Sequence, residues 1–222
     1  MTLPEGPVAV SRRGPGLATA VAGLGLAYVA FALTFRGPRS RFWERMTATG
    51  VLLGAMAFAE DPASGPGRIR ARDVGVGLLI ASGLYAVFQA GDRFARRTLP
   101  AGHNEIERIY ELRTLAPPEE IGVRLGAVIG PAEELFWRGL IQRALASRFG
   151  RVGGAVLAAG AYGGAHLVTG NVTLVGAATT AGLYWSVLAA LGTPMAALVT
   201  SHIVWDIWIF LVAPTEPPPA RS

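Results

Sequence analysis

Leu17 to Phe35 is an uncharged run of 19 residues, and it limits what this chain can fold into more than any other stretch does. An α-helix needs about 20 mostly apolar residues to cross the hydrocarbon layer of a bilayer. Within lipid, only helices and closed barrels satisfy every backbone polar group. The run is too long for the apolar region of a cleavable signal peptide, and no small-x-small exit follows it, so it reads as a first membrane span. Charge points the same way. Charged residues are 16% of the 222, against roughly 25% in a soluble domain, and they are missing from whole windows. The mean hydropathy is +0.41.

Further windows repeat the pattern. Thr47–Ala59, with a helix start near Phe42, is a short second span. Val74–Ala90 is a third. Ile121–Leu145 has the length of a span although it holds Arg124, Glu133, Glu134, Arg138 and Arg143. Val152–Val168, Val172–Leu191 and Pro194–Val212 follow with very short connections, which make neighbouring helices antiparallel. Between the third and fourth spans, Asp92–Pro118 mixes charges with Ile106, Ile109 and Tyr110 at helical spacing. It reads as an amphipathic helix on the membrane interface, with a functional lid as the alternative. The fold expected is all-α: a polytopic transmembrane helix bundle of about seven spans (six to eight) with an interfacial amphipathic helix. Residues 1–16, rich in Pro and Gly, and 213–222, rich in Pro, are expected to be disordered. Residues 17–118 form an N-terminal set of spans plus the interfacial helix, and 119–212 a C-terminal core.

The net charge of +5 does not indicate nucleic acid as a partner. All the basic residues are Arg, and most flank apolar segments, where membrane proteins keep cations near anionic headgroups. Alternate loops carry similar numbers of Arg, so the positive-inside rule gives no orientation. The chain has no Cys, which excludes disulfides, thiolate nucleophiles and Cys-ligated zinc. The glycines at 153–154, 160, 163–164, 176 and 182 read as close helix packing in lipid. They have no phosphate-loop context.

An ionisable group inside a span costs roughly 2.5–3.5 kcal/mol on insertion scales, so it stays only if paired or useful. Three late spans carry such groups. In Glu133-Glu134-Leu-Phe-Trp-Arg138, Glu134 and Arg138 share a face and can pair, whereas Glu133 lies about 100° away and is left over. In Tyr162-Gly-Gly-Ala-His166, a ring stands one turn before an imidazole. In His202-Ile-Val-Trp-Asp206, an imidazole and a carboxylate share a face. Each could be a private structural feature, but depth argues against that. Glu133 lies 16 residues before Phe149, and His166 lies 14 after Val152. His202 and Asp206 lie 8 and 12 past Pro194. At 1.5 Å per residue, these positions fall within about one turn of a common level, as one shared polar cavity requires. Two imidazoles and two carboxylates there suit water activation. Glu133 takes the water proton. His166 shares that job or orients the water, and His202 donates to the oxyanion. Asp206 fixes the tautomer of His202. Ser186 and Ser201 have no elbow motif beside them.

The order EExxxR, aromatic-xxx-His, Hxxx(N/D) on successive late spans resembles the CPBP family of intramembrane proteases, the CAAX prenyl protease 2-like proteins and their bacterial CAAX amino-terminal protease relatives. The resemblance covers roughly Ile121–Val212 and makes 119–212 a CPBP-like catalytic core. It implies peptide hydrolysis by Glu-activated water, with catalytic residues Glu133, His166, His202 and Asp206 and accessory residues Glu134, Arg138 and Tyr162. It departs from the pattern at Tyr162, where Phe is usual, and at Asp206, where the CAAX endopeptidase has Asn. No metal is required on this reading. If zinc is bound, Glu133, His166 and His202 are its expected ligands. The implied partners are the bilayer and a membrane-anchored protein or peptide, and the implied location is a bacterial inner membrane. C-terminal sorting of surface proteins, of the myxosortase kind, is one role among bacterial relatives. A non-catalytic scaffold or bacteriocin-immunity protein is the alternative, and a proton-coupled transporter is a further one.

Overall fold

The computed structural model describes residues 14–62, 65–99 and 101–214. Most of the two terminal segments expected to be disordered, residues 1–13 and 215–222, therefore lies outside the described residues. Among the described residues all regular structure is helical. The main elements are α1 (Leu17–Arg36), α2 (Phe42–Glu60), α3 (Ala71–Thr98), the short α4 (Gly102–Tyr110), α5 (Pro118–Thr169), α6 (Val172–Ala190) and α7 (Met195–Val212). Five of these, α1, α3, α5, α6 and α7, are long and apolar enough to cross a membrane. α2 carries Glu44, Arg45 and Glu60 within its 19 residues and is not among the five.

α5 is a hairpin although its helical pattern runs on. Gly150 has φ 74° and ψ 169°, a conformation essentially reserved for glycine. The arm before it, 118–149, folds back on the arm after it, 151–169. The arms touch where Gly154 meets Ala146. A Cβ on Gly154 would lie 2.7 Å from the Ala146 Cα. Gly163 and Gly182 make similar close approaches to Thr179 and to Tyr162, whereas Gly160 and Gly176 meet nothing within 4 Å. The glycine pattern is therefore only partly a packing pattern.

The apolar interior lies in two groups. Phe31, Leu53, Phe136, Trp137 and Ile141 fill the space among α1, α2 and α5. Ile80, Leu84, Trp185 and Leu198 fill that among α3, α6 and α7. Outward-facing Val21, Leu33, Phe58, Leu79 and Val156 are exposed, as lipid-facing side chains should be. The first arm of α5 contains two widened π turns, Leu125–Ile129 and Leu135–Gln142. Such turns re-aim side chains and often occur at functional sites. Here they bracket Glu133 and Glu134.

The interfacial segment is shorter than the sequence suggests. α3 continues to Thr98 instead of ending near Ala90, carried on by an Asp92–Arg96 ion pair at 3.0 Å that is largely buried. The separate amphipathic helix is α4, followed by a 3-10 turn at Glu111–Leu115. α4 is tied down by one residue. The Glu105 carboxylate accepts hydrogen bonds from the Thr173 hydroxyl (2.6 Å) and from the amides of Thr173 (2.9 Å) and Val172 (3.3 Å). Glu105 on α4 thus caps the N-terminus of α6, whose first amides have no partner within the helix. The Thr173 hydroxyl is the main reason its carboxyl is held below the ordinary range.

Two outcomes follow. Gly154→Ala should cost about 1–3 kcal/mol through overpacking, seen as a lower thermal midpoint in detergent, while Gly160→Ala should leave the midpoint unchanged or raise it. Glu105→Gln keeps only one acceptor oxygen. It should speed hydrogen exchange of residues 102–110 by the equivalent of about 1–3 kcal/mol. The depressed Glu105 pKa sets the sign of the pH dependence. Protection of α4 should be full at neutral pH, where the carboxylate is charged. It should fall only as the pH drops through the lowered native pKa, below the usual value of about 4.3.

Candidate active site

Glu134 is the hub of the buried polar groups and is fully buried itself. Its Oε1 accepts from Arg138 Nη1 at 2.9 Å, the i, i+4 pair the sequence suggests, and also from His202 Nδ1 at 2.7 Å. The second bond corrects an expectation. Glu134, from another helix, holds the Nδ1 of His202. Asp206 instead approaches the opposite nitrogen, Nε2, at 3.5 Å. Because Nδ1–H donates to a carboxylate, the tautomer of His202 is set from α5, and Nε2 faces the cavity.

The rest of the setting is aromatic. Trp185 stacks on His202 with ring centroids 4.1 Å apart and planes 16° from parallel. Its Nε1 donates to Ser201 Oγ, which donates to the Leu198 carbonyl, so that Ser serves as structural support. The Arg138 guanidinium lies 5.2 Å from the ring centroids of both Trp185 and Tyr162, and its Nη2 donates to the Gly182 carbonyl at 3.2 Å. Its charge is offset by one carboxylate and two ring faces.

Glu133 points inward, 4% exposed. Its Oε2 accepts from the Tyr162 hydroxyl at 2.8 Å and lies 3.9 Å from His202 Nε2. That gap is too long for a direct hydrogen bond and suits a bridging water. His166 is buried at the end of the second arm of α5, where Nδ1 donates to the Tyr162 carbonyl at 2.9 Å. This bond leaves Nε2 as the nitrogen available to the cavity. The His166 ring sits edge-on to Phe31 and Tyr162 at 5.2 Å from each.

Glu133, Tyr162, His166, His202 and Asp206 all line one cavity of about 540 Å³, with α4 residues Ile106, Ile109 and Tyr110 at its wall. Segments far apart in sequence, on α5 and α7, therefore meet there. The zinc arrangement considered above does not fit. Among the described residues no three His, Asp or Glu side chains are placed to hold a metal ion. Sequence reasoning missed Trp185 and the Glu134–His202 bond. Neither leaves a signal at fixed spacing, because both depend on how separate helices are rotated.

Residues 120–208 match the family model described as "Type II CAAX prenyl endopeptidase Rce1-like". No curated protein and no solved structure matches the chain. The matched segment spans both arms of α5, all of α6 and most of α7, and it contains every residue of the buried polar cluster. With five helices able to cross a membrane, this is a multi-pass membrane protein, and its residues 120–208 are similar to the type II CAAX prenyl endopeptidases.

Proposed function

We propose that the chain is an intramembrane endopeptidase that hydrolyses a peptide bond of a membrane-associated protein with a water activated by Glu133. The observation that carries this reading is the 3.9 Å separation of Glu133 Oε2 and His202 Nε2 across a cavity that His166 and Asp206 also line. A water between them gives a proton to the Glu133 carboxylate as its oxygen attacks the scissile carbonyl carbon. The charge that develops on the carbonyl oxygen is met by N–H donation from His202 Nε2 in its doubly protonated form, with Asp206 3.5 Å away supporting that form. Glu133 then passes its proton to the departing amine nitrogen, which closes the proton cycle. His166, anchored through Nδ1, presents Nε2 to hold the water. Glu134, Arg138 and Trp185 are positioning residues that fix the His202 ring.

The two-armed shape of α5, together with α2, supports seven membrane crossings, and a bacterial inner membrane is the location that the resemblance implies. The cavity walls are largely aliphatic and aromatic, which suits an apolar segment beside the scissile bond. Removal of a C-terminal membrane anchor from a surface protein, a myxosortase-like role, fits that chemistry.

Loss of a positioned base costs about 10²–10⁴-fold in rate. Cells carrying Glu133→Gln should therefore accumulate uncleaved substrate, seen by quantitative proteomics of C-terminal peptides against wild type, while the purified variant keeps its thermal midpoint. A phenotype that survives Glu133→Gln, His166→Ala and His202→Ala would instead establish the non-catalytic reading. Glu134→Gln should behave differently from Glu133→Gln. It leaves the Arg138 charge buried without its partner, a loss of about 3–5 kcal/mol, so both cleavage and the thermal midpoint should fall.

A further inference from the structure

A second, separate cavity of about 360 Å³ opens at the other end of the bundle, lined by Arg138, Gln142, Arg143, Arg151, Thr193 and Met195 among others. It lies where the Gly150 turn meets the turn between α6 and α7, and Arg151 donates there to the Ala190 carbonyl. Two of the residues that line it each hold one deeply buried atom with no protein partner: Nε of Arg138, a residue 2% exposed, and Oε1 of Gln142, a residue 5% exposed. The remaining polar atoms of these side chains are committed. Arg138 bonds Glu134 and the Gly182 carbonyl, and the Gln142 amide donates to the Ser186 carbonyl at 2.8 Å.

The two unpartnered atoms differ in kind, and that selects the ligand. One is a donor and the other an acceptor, on residues four apart along the same arm of α5. An anion would satisfy Arg138 but repel Gln142 Oε1, and a cation would do the reverse. The outer cations are already engaged, Arg143 by Asp61 at 2.6 Å and Arg151 by the Ala190 carbonyl. Water alone serves both atoms, and the cavity has room for on the order of ten molecules at roughly 30 Å³ each.

We propose that this cavity is a water-filled vestibule that reaches from the membrane face opposite α4 inward to Arg138. Water there solvates the back of the guanidinium whose front holds Glu134, and through Glu134 it steadies His202. Gln142 is a positioning residue for that water. The proposal is independent of the protease reading, because hydration at this end requires no substrate.

The absence of cysteine from the chain makes the test clean. Met195→Cys and Ala189→Cys place single thiols on the vestibule wall, and Val199→Cys places one nearby that is buried but not on the wall. Ser147→Cys and Asn104→Cys mark the two membrane faces. In proteoliposomes, the water-soluble, membrane-impermeant reagent 2-(trimethylammonium)ethyl methanethiosulfonate should label Met195→Cys and Ala189→Cys at least tenfold faster than Val199→Cys. It should do so from the face that labels Ser147→Cys. Labelling as slow as that of Val199→Cys would overturn the proposal, as would labelling from the face of Asn104→Cys. If Met195→Cys fails to fold, Ala189→Cys carries the same comparison. Protection of these thiols by phosphatidylglycerol in the vesicles, absent in phosphatidylcholine alone, would also overturn it and identify an anionic lipid headgroup as the occupant.

Discussion

The contact on which the polar interior depends is the single oxygen of Glu134 that accepts from both Arg138 and His202. Three helices meet at that atom or one bond from it: α5 supplies the acid and the guanidinium, α7 the imidazole, and α6 the Gly182 carbonyl that Arg138 also binds. A charge at this depth is tolerable only when paired and hydrogen-bonded. The arrangement of the helices and the electrostatics of the cavity are therefore one problem with one solution. Trp185, stacked flat on His202 and near the guanidinium, fills the space that water would otherwise take.

The widened turns of α5 make that solution reachable. Glu133 and Glu134 lie in a regular α-helical segment, where adjacent residues point about 100° apart and so reach different partners. Between the π turns at Leu125–Ile129 and Leu135–Gln142, both are buried. Glu134 turns to Arg138 and His202, and Glu133 to Tyr162. The hydroxyl of Tyr162 gives Glu133 a hydrogen bond that a Phe at this position would not supply.

Much of this was legible in the sequence, and what was hidden shares a physical cause. Apolar run length located the ends of α1, α6 and α7 to within a residue or two. The i, i+4 spacing foresaw the Glu134–Arg138 pair, and residue counting placed Glu133, His166, His202 and Asp206 near a common depth. These are properties of one helix at a time. The partner of His202 Nδ1 depends on the rotation of α7 about its axis relative to α5. One-dimensional spacing favoured Asp206 because it is four residues away. The length of α3 was misread because charged residues after Ala90 look like a membrane boundary. Asp92 and Arg96 neutralise each other and let the helix continue. The turn between the two arms of α5 was foreseen from the short connection before Val152, and the positive φ of Gly150 identifies the residue that makes it.

The cap that Glu105 places on α6 links two regions that seem unrelated along the chain. The end of a helix is normally stabilised by its own flanking residues, so its fraying is a local matter. Here the acceptor for the Val172 and Thr173 amides sits on α4, the amphipathic helix that forms part of the cavity wall. Detaching α4 and unravelling the first turn of α6 are therefore a single event with a shared free energy. Only a short turn, opening with Leu167, separates that first turn from His166. Movement of the amphipathic wall is thus mechanically coupled to the segment that presents one of the two cavity imidazoles.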